Sequence, residues 1–223
     1  MFTPIPVAEF LGRTGLDTEA DLFYPRDSVT QVVSLRQLEI IDCVQLMHHQ
    51  YLRRLLESVV CKDGKTHPYT GKWIGTMNLS ARSARVGQRF IERGKYTALV
   101  ERFQQILEGF ATPSGPTGLG AFIAFGRMQD GTRVVAHYLP PIIEIGRDNG
   151  SALLDGIHRN YPLVGAGLAM PMLTIRDVEA PLPFDLRDWD EVEAVDVKPP
   201  VEERFFNLRP EMFRDLKYVG IDG

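Results

Sequence analysis

The chain contains few cysteines, and those few restrict its chemistry. Its 223 residues include two, Cys43 and Cys61, too few for a disulfide framework or for a zinc site built from four thiolates. Because free cysteine is often buried, we expect two ordinary thiols, in preference to a metal site completed by His48, His49 or His67. The adjacent histidines would point about 100° apart on a helix, which is poor geometry for holding one ion.

A secretory signal, a membrane span and a basic excess are also missing. Residues 1–6 lack the basic end and apolar run of a signal, and no stretch approaches the roughly 20 apolar residues of a spanning helix. We therefore expect a cytoplasmic protein with no membrane partner. The net charge of −4 provides no global attraction for nucleic acid, so any such contact would have to be local.

Composition and length indicate a globular chain. Hydrophobic residues make up 44% of the sequence and charged residues 24%, which are ordinary values for folded domains. A chain of 223 residues has room for one large domain, or for a smaller domain that carries a substantial insertion.

Apolar spacing predicts mostly helices in the first half of the chain. Residues 5–7 are expected to form a short strand that leads into a loop over residues 12–27. Ser34 and Gln37 have the spacing of a capping box, and apolar residues then recur at helical intervals to about residue 60. This pattern predicts one long helix.

Two further helices are predicted before a sharp change in composition. One spans residues 80–94 and the other residues 95–109, and each ends at a glycine. Residues 111–120 are rich in proline, glycine, serine and threonine, which is typical of a linker or of a lid over a site.

Beyond this linker the apolar period becomes that of strands. Turn residues at Gln129-Asp130-Gly131 and Asp148-Asn149-Gly150 predict two hairpins, formed by residues 121–125 with 133–138 and by residues 141–145 with 151–154. A short helix over residues 160–167, with Pro162 in its first turn, and a strand over residues 170–178 follow. The remaining residues, 181–223, begin as a proline-rich, acidic extension.

The segment Asp155-Gly156-Ile157-His158-Arg159 stands where a strand should pass into a helix. A glycine allows a sharp turn and close approach to a ligand, and a helix N-terminus attracts anions. Because cations there oppose the helix dipole, His158 and Arg159 are predicted to bind phosphate, with Asn160 next to them. For Asp155, two roles stay open: metal binding with phosphoryl-acceptor activation, or simple capping of the helix.

These residues, with the hairpin before them and the strand at 171–175 after them, resemble the core of the ParB/sulfiredoxin superfamily. Residues 5–7 resemble its opening strand. The resemblance implies an α/β (α+β) fold with a mixed sheet, and it divides the chain as follows: first strand and loop 1–27, helical insertion 28–110, linker or lid 111–120, core 121–180, and C-terminal extension 181–223.

The superfamily's box at the helix start binds nucleotide phosphates, and its members include CTP-dependent partition clamps, sulfinic-acid reductases, a free-serine kinase and proteins described as nucleases. By position, the resemblance implies nucleotide contacts from Gly156, Ile157, His158, Arg159 and Asn160. It also places Asp155 beside Mg²⁺. Ile157 stands where sulfiredoxins carry their catalytic cysteine, so peroxiredoxin repair is excluded. DNA-reading helices like those of the partition proteins are not visible.

Four arginines form a second candidate surface. Arg82, Arg85, Arg89 and Arg93 are three, four and four residues apart, so a helix would carry them on one stripe. Such a stripe contacts nucleic acid or another polyanion, or it pairs with acids such as those of residues 185–203. We favour a solvated face or the intramolecular pairing over contact with a polyanion.

The expected function is Mg²⁺-dependent phosphoryl transfer or hydrolysis of a nucleotide such as ATP, ADP or CTP. Asp155 and His158 are the candidate catalytic residues of the hinge, and Glu9 and Glu19 are the carboxylates available to activate an acceptor that the sequence does not identify. Two alternatives remain open: a non-catalytic nucleotide-gated interaction module, and a nucleic-acid-binding or nuclease protein that uses the arginine stripe. The sequence is compatible with a homo-oligomer.

Overall fold

A computed structural model describes residues 2–16, 28–95, 97, 120–146 and 150–222. The chain divides into two compact units: the first comprises Met1–Gly71, Gly120–Leu139 and Arg214–Gly223, and the second comprises Lys72–Leu119 and Pro140–Phe213. Strands and helices are mixed in both, which confirms the α+β class. The predicted helix at 95–109, the linker at 111–120 and the turn residues Asp148 and Asn149 lie almost entirely outside the described residues.

The strands are numbered in chain order: β1 (Ile5–Pro6), β2 (Gln31–Val33), β3 (Ile40–Leu46), β4 (Trp73–Ser80), β5 (Arg85–Val86), β6 (Phe90–Glu92), β7 (Phe122–Arg127), β8 (Arg133–Tyr138), β9 (Ile142–Gly146), β10 (Gly150–Asp155), β11 (Ala169–Arg176) and β12 (Glu193–Val195). The α-helices are α1 (Val7–Thr14), α2 (His49–Glu57), α3 (Ile157–Ala166) and α4 (Val201–Arg204). None of these described helices has the length and apolar character needed to cross a membrane.

The first unit is built on a sheet with the order β1-β2-β8-β7-β3. Strands β7 and β8 form the predicted hairpin, with Phe122 opposite Tyr138 and Arg127 opposite Arg133. Most of their residues are buried on both faces, which explains their nearly continuous apolar runs. Gly131 turns the hairpin at a φ of 83°, a conformation that favours glycine.

The prediction of one long helix from Ser34 to about residue 60 was wrong. The Ser34–Gln37 capping box is present, but it closes a single 3₁₀ turn, Leu35–Gln37. Strand β3 follows and pairs with β7, and α2 begins only at His49. The apolar residues that recur at helical spacing belong to two different elements: some lie in strand β3 and the others on the buried face of α2.

The second unit is built on a sheet with the order β4-β11-β9-β10-β5. Strand β10 is antiparallel to β9, as the second predicted hairpin requires, and β11 is parallel to β9. Helix α3 makes the crossover between β10 and β11. It buries Ile157 and Val164 in a core that includes Ile143, Leu153 and Met172.

Helix α3 begins earlier than the sequence indicated. It starts at Ile157, and Gly167 ends it at a φ of 66°. Pro162 therefore lies inside the helix and not in its first turn. Because proline has no N–H, the helix loses one internal hydrogen bond at that position.

The prediction of a helix over residues 80–94 was also wrong. This segment contains the end of β4 and the short strands β5 and β6. Strand β5 pairs with β10, and β6 pairs in parallel with β12 of the C-terminal extension. Partners that are distant in the sequence therefore override the local helical spacing.

The predicted domain boundaries change accordingly. Residues 28–110 are not a helical insertion, since β2 to β6 lie within them. The predicted core at 121–180 is divided, because Gly120–Leu139 belongs to the first unit and Pro140–Phe213 to the second. Residues 5–7 do not open the sheet that carries α3: β1 pairs with β2 in the first unit, and Val7 already begins α1.

Candidate functional site

The predicted hinge between a strand and a helix is present in the second unit. Strand β10 ends at Asp155, and Gly156 precedes α3 with φ 92° and ψ 21°. A Cβ on Gly156 would lie 2.7 Å from Cβ of Pro141, closer than real Cβ contacts allow. Glycine is therefore required both by the backbone conformation and by the space.

The start of α3 is held by backbone and not by a side-chain cap. The amides of Arg159 and Asn160 each donate to the Gly156 carbonyl at 3.0 Å. The N-cap residue is Gly156, and among the described residues no side chain caps this end of the helix with a hydrogen bond. Asp155 therefore does not act as the cap, although a carboxylate at this end of a helix is favourable.

Asp155 instead forms an ion pair with Arg159. Nη2 of Arg159 donates to Oδ2 of Asp155 at 2.6 Å, and the side chains are only 13% and 15% exposed. The carboxylate neutralises the guanidinium and fixes its orientation. An anion at this hinge would meet an arginine that the protein already holds in place.

His158 connects the helix start to β6. The Glu92 amide donates to Nε2 of His158 at 3.3 Å, so this nitrogen is unprotonated in the contact. The Glu92 carboxylate in turn lies 3.6 Å from Nζ of Lys95. The histidine thus ties the predicted box to a charged region that the sequence motif does not contain.

That region is a group of three cations, Lys95, Lys198 and Arg204, which we call the cationic cluster. Burial first, and then the charges of Lys95 and Arg204, lower the pKa of Lys198 to about 8, while the charge of Glu92 opposes the shift. Lys198 has no ion-pair partner within the described part of the chain. Around Lys198, two neighbouring cations therefore act against one acid, Glu92, whose amide contacts His158 in the first turn of α3.

Backbone contacts explain why these distant residues meet. Parallel pairing of β12 with β6 places Val195 opposite Glu92, so the residues after each strand run together. The Arg89 amide donates to the Arg204 carbonyl at 2.8 Å, which fixes the end of α4. About a hundred residues separate Lys95 from its partners, and sequence reasoning missed the cluster because no local spacing connects them.

Two other residues of the predicted box point inward. Ile157 is 9% exposed and packs in the core of the second unit. Asn160 is fully buried on the same helix face, and no hydrogen-bond partner for its Oδ1 or Nδ2 is found among the described residues. Their side chains thus lie on the helix face that packs on the sheet, away from the ion pair of Arg159.

The candidate acids of the N-terminal segment lie elsewhere. Glu9 is on α1 in the first unit, where it forms an ion pair with Arg13. Glu19 lies outside the described residues. The described part of the second unit therefore contains Asp155 but neither of these two glutamates.

The four arginines of the predicted stripe do not share a helix, and each pairs with an acid of the C-terminal extension. The distances are 3.2 Å for Arg82–Asp190, 3.4 Å for Arg85–Asp188, 3.1 Å for Arg89–Glu193 and 2.8 Å for Arg93–Asp196. The favoured intramolecular pairing is confirmed, whereas the helical stripe is wrong.

Metal-binding side chains are sparse in the described structure. No group of three or more histidines, cysteines, aspartates or glutamates there could hold a metal ion. Cys61 is buried and Cys43 half-buried, and His48 accepts a hydrogen bond from the Gln50 amide as the N-cap of α2. Mg²⁺ that arrives with a nucleotide needs only one or two carboxylates, since phosphates and water supply its other oxygens. Within the hinge, Asp155 is the carboxylate that fits this role.

Comparison of the chain with protein-family models, with curated proteins and with solved structures found no match. The likeness to the ParB/sulfiredoxin superfamily consequently rests on the hinge motif and its neighbouring strands.

Proposed function

We propose that the second unit binds a phosphorylated ligand, a nucleoside di- or triphosphate, at the start of α3. The observation that carries this proposal is the link between the helix start and the cationic cluster: the amide of Glu92 contacts His158 in the first turn of α3, and the Glu92 carboxylate lies 3.6 Å from Lys95 and acts on Lys198. A helix N-terminus and an ammonium whose pKa is lowered by like charges are both stabilised by an anion.

The residues have distinct roles in this proposal. Gly156 lets the backbone turn without a side chain, and the positive end of the helix dipole attracts the phosphates. Arg159, oriented by Asp155, would donate hydrogen bonds to phosphate oxygens, and Lys198 would neutralise phosphate charge. Asp155 would also hold Mg²⁺ through its carboxylate when a nucleotide supplies the other oxygens, and the metal would then offset charge on the phosphates.

The catalytic form of the proposal is phosphoryl transfer or hydrolysis of ATP, ADP or CTP. An acceptor or a water must lose a proton to a base in such a reaction. His158 supplies a neutral ring nitrogen at the helix start, but that nitrogen accepts the Glu92 amide. This contact favours the second candidate, binding without turnover, in which the nucleotide gates an interaction with another molecule.

Nucleic-acid binding through the arginine stripe is the third candidate. Ion pairs with the C-terminal extension already engage the four arginines, which weakens this candidate. Exposed pairs are worth little individually and could be exchanged for phosphates. Binding that depends steeply on salt and is weakened by changes at Arg85 and Arg89 would favour it.

Thermal unfolding of the full chain with ATP, ADP or CTP, with and without Mg²⁺, tests the proposal. A ligand at a hundredfold excess over its Kd should raise Tm by roughly 5 °C. Lys198→Gln and Arg159→Ala should each weaken binding by roughly tenfold. Arg82→Gln, which removes one exposed charge at an ion pair with Asp190, is the matched control and should bind normally.

The outcomes separate the candidates. Release of phosphate at a rate above that of buffer, lost in Lys198→Gln, indicates catalysis. A shift in Tm without turnover indicates the gated module. No shift with any of the three nucleotides would contradict nucleotide binding altogether.

A further inference from the structure

Two cations of the second unit, Lys198 and Arg204, lack the acidic partner that neighbouring cations have. Lys95 lies 3.6 Å from Glu92, and ion pairs with the C-terminal extension engage Arg82, Arg85, Arg89 and Arg93. Within the described part of the chain, neither Lys198 nor Arg204 forms an ion pair. Both residues are half-buried, so water and salt screen their charges less than those of exposed residues.

The backbone fixes both side chains in this arrangement. Val197 is 82% exposed, whereas Lys198, the next residue, is half-buried. Nε of Arg204 donates to the carbonyl oxygen of Pro199 at 2.6 Å, so the guanidinium is held by the residue that follows the lysine. This contact uses one N–H of the guanidinium, and its remaining N–H donors have the geometry that suits a carboxylate.

Strand pairing brings a second cation to the same lysine. Parallel pairing of β6 with β12 places Glu92 opposite Val195, and Lys95 and Lys198 each lie three residues beyond these positions. Burial, and then the charges of Lys95 and Arg204, lower the pKa of Lys198 to about 8, while the charge of Glu92 opposes the shift. Near neutral pH, Lys198 is therefore present as the free amine far more often than an ordinary lysine.

We propose that Lys198 is a site of reversible carbamylation by carbon dioxide. The lone pair of the unprotonated Nζ attacks the carbon of CO₂ and forms an N–C bond, while one electron pair of a C=O bond moves onto its oxygen. Nζ then releases one proton to water. The product is a carbamate, which carries a negative charge on the side chain that was neutral before the reaction. The step needs no oxidant, reductant or cofactor, and loss of CO₂ reverses it.

The carbamate supplies the acid that the cationic cluster lacks. Lys95 and Arg204 repel the protonated lysine, but they attract the carbamate, whose oxygens accept hydrogen bonds as a carboxylate does. Lys72 provides the contrast in the same unit. Its side chain is only 21% exposed, but its Nζ lies 3.5 Å from Oε1 of Glu179, so a carbamate there would meet a negative charge. We therefore expect carbamylation at Lys198 and not at Lys72.

Chemical trapping of the carbamate in the full chain tests this proposal. The protein is equilibrated with bicarbonate, the source of CO₂, at about pH 8 and treated with a trialkyloxonium salt, which converts the labile carbamate into a stable ester. Mass spectrometry of the digested protein should find the ester at Lys198 and not at Lys72. Lys198→Arg keeps the positive charge and should abolish trapping, whereas the control Lys72→Gln should not change it. Arg204→Gln should reduce the trapped fraction about tenfold.

The absence of the ester at Lys198, or equal trapping at both lysines, would overturn the proposal. Unchanged trapping in Arg204→Gln would also overturn it, because the guanidinium would then not bind the product. Nucleotide is absent from this experiment, so its result is separate from that of nucleotide binding. An ester at Lys198 in a chain whose Tm no nucleotide raises supports carbamylation and contradicts only the proposed function. Nucleotide binding by a chain that forms no ester contradicts only carbamylation.

Discussion

The two units treat their buried and half-buried polar groups in opposite ways. In the first unit, His137 is 4% exposed, its Nε2 is 2.7 Å from the Tyr51 hydroxyl, and its ring stacks on Phe10 at 5.1 Å. Burial lowers the pKa of His137 to about 4, so the imidazole is neutral. A partner within the first unit thus engages Nε2 of this histidine, and we assign the residue a structural role.

In the second unit, the polar groups beside the hinge are not balanced in this way. His158 accepts from the Glu92 amide, and at Lys198 the charges of Lys95 and Arg204 are opposed by that of Glu92. The difference shows that a buried histidine by itself does not indicate a functional site. Under our proposal, the cations around Lys198 are the feature that indicates a ligand site.

The largest effect should come from the hinge. Gly156→Ala forces a positive φ on an L-residue and drives Cβ into Pro141, so the second unit should lose about 4 kcal/mol of stability. Gly165→Ala is the control, because Gly165 lies in the same helix with open space around it and should gain up to about 1 kcal/mol. Urea unfolding of both variants checks this, and equal midpoints would show that the hinge does not require glycine.

Acid should destabilise the first unit through His137. The unfolded chain takes up a proton below a pKa of about 6.5, whereas the folded chain does so only near 4. Stability is therefore full above pH 6.5 and falls as the pH decreases towards 4, by about 3 kcal/mol. Denaturant unfolding across this range measures the slope, which should be smaller in His137→Gln. The same slope in both proteins would place the titrating group elsewhere.

A smaller effect is expected from the hydroxyl that contacts this histidine. Tyr51→Phe keeps the ring in the core but leaves Nε2 of His137 without the hydroxyl, which should cost about 1 to 2 kcal/mol. Thermal unfolding provides the measurement. Unchanged stability would mean that the pair contributes little and that packing alone holds the histidine.

The smallest effect should come from the arginines that pair with the C-terminal extension. Arg82→Gln removes an exposed ion pair with Asp190 and should change stability by less than about 0.5 kcal/mol. A loss of several kcal/mol in urea unfolding would show that these ion pairs hold the extension in place. The exposed arginines would then be as important for stability as the buried groups, which would contradict the comparison between the two units.

Elements that pair with near neighbours in the sequence could be predicted, whereas elements whose partners are distant in the sequence could not. The segment from β9 to β11 could largely be predicted, because its strands pair with near neighbours and glycines mark its turns. Gly150, Gly156 and Gly167 all adopt the positive φ that such turns require. Strand β3 was missed because its partner, β7, lies about eighty residues later. Helical spacing in one window could not reveal that pairing.

The site shows the same division. Gly156, His158 and Arg159 could be singled out because a strand, a glycine and a helix start are all local signals. The Asp155–Arg159 ion pair is compatible with their spacing of four residues, but the spacing alone does not distinguish this pair from separate roles for the two side chains. Lys198 and Arg204 could not be assigned, since only the pairing of β12 with β6 brings the extension to the helix start.

The most direct test of the ligand site is the pKa of the Lys198 ammonium, measured by NMR titration of its side chain with and without ATP. The free protein should give a pKa near 8, because burial and neighbouring cations disfavour the charged form. Bound phosphate should stabilise that form and raise the pKa towards its ordinary value of 10.5. The same pKa in the presence and absence of ATP would contradict a phosphate site at the start of α3.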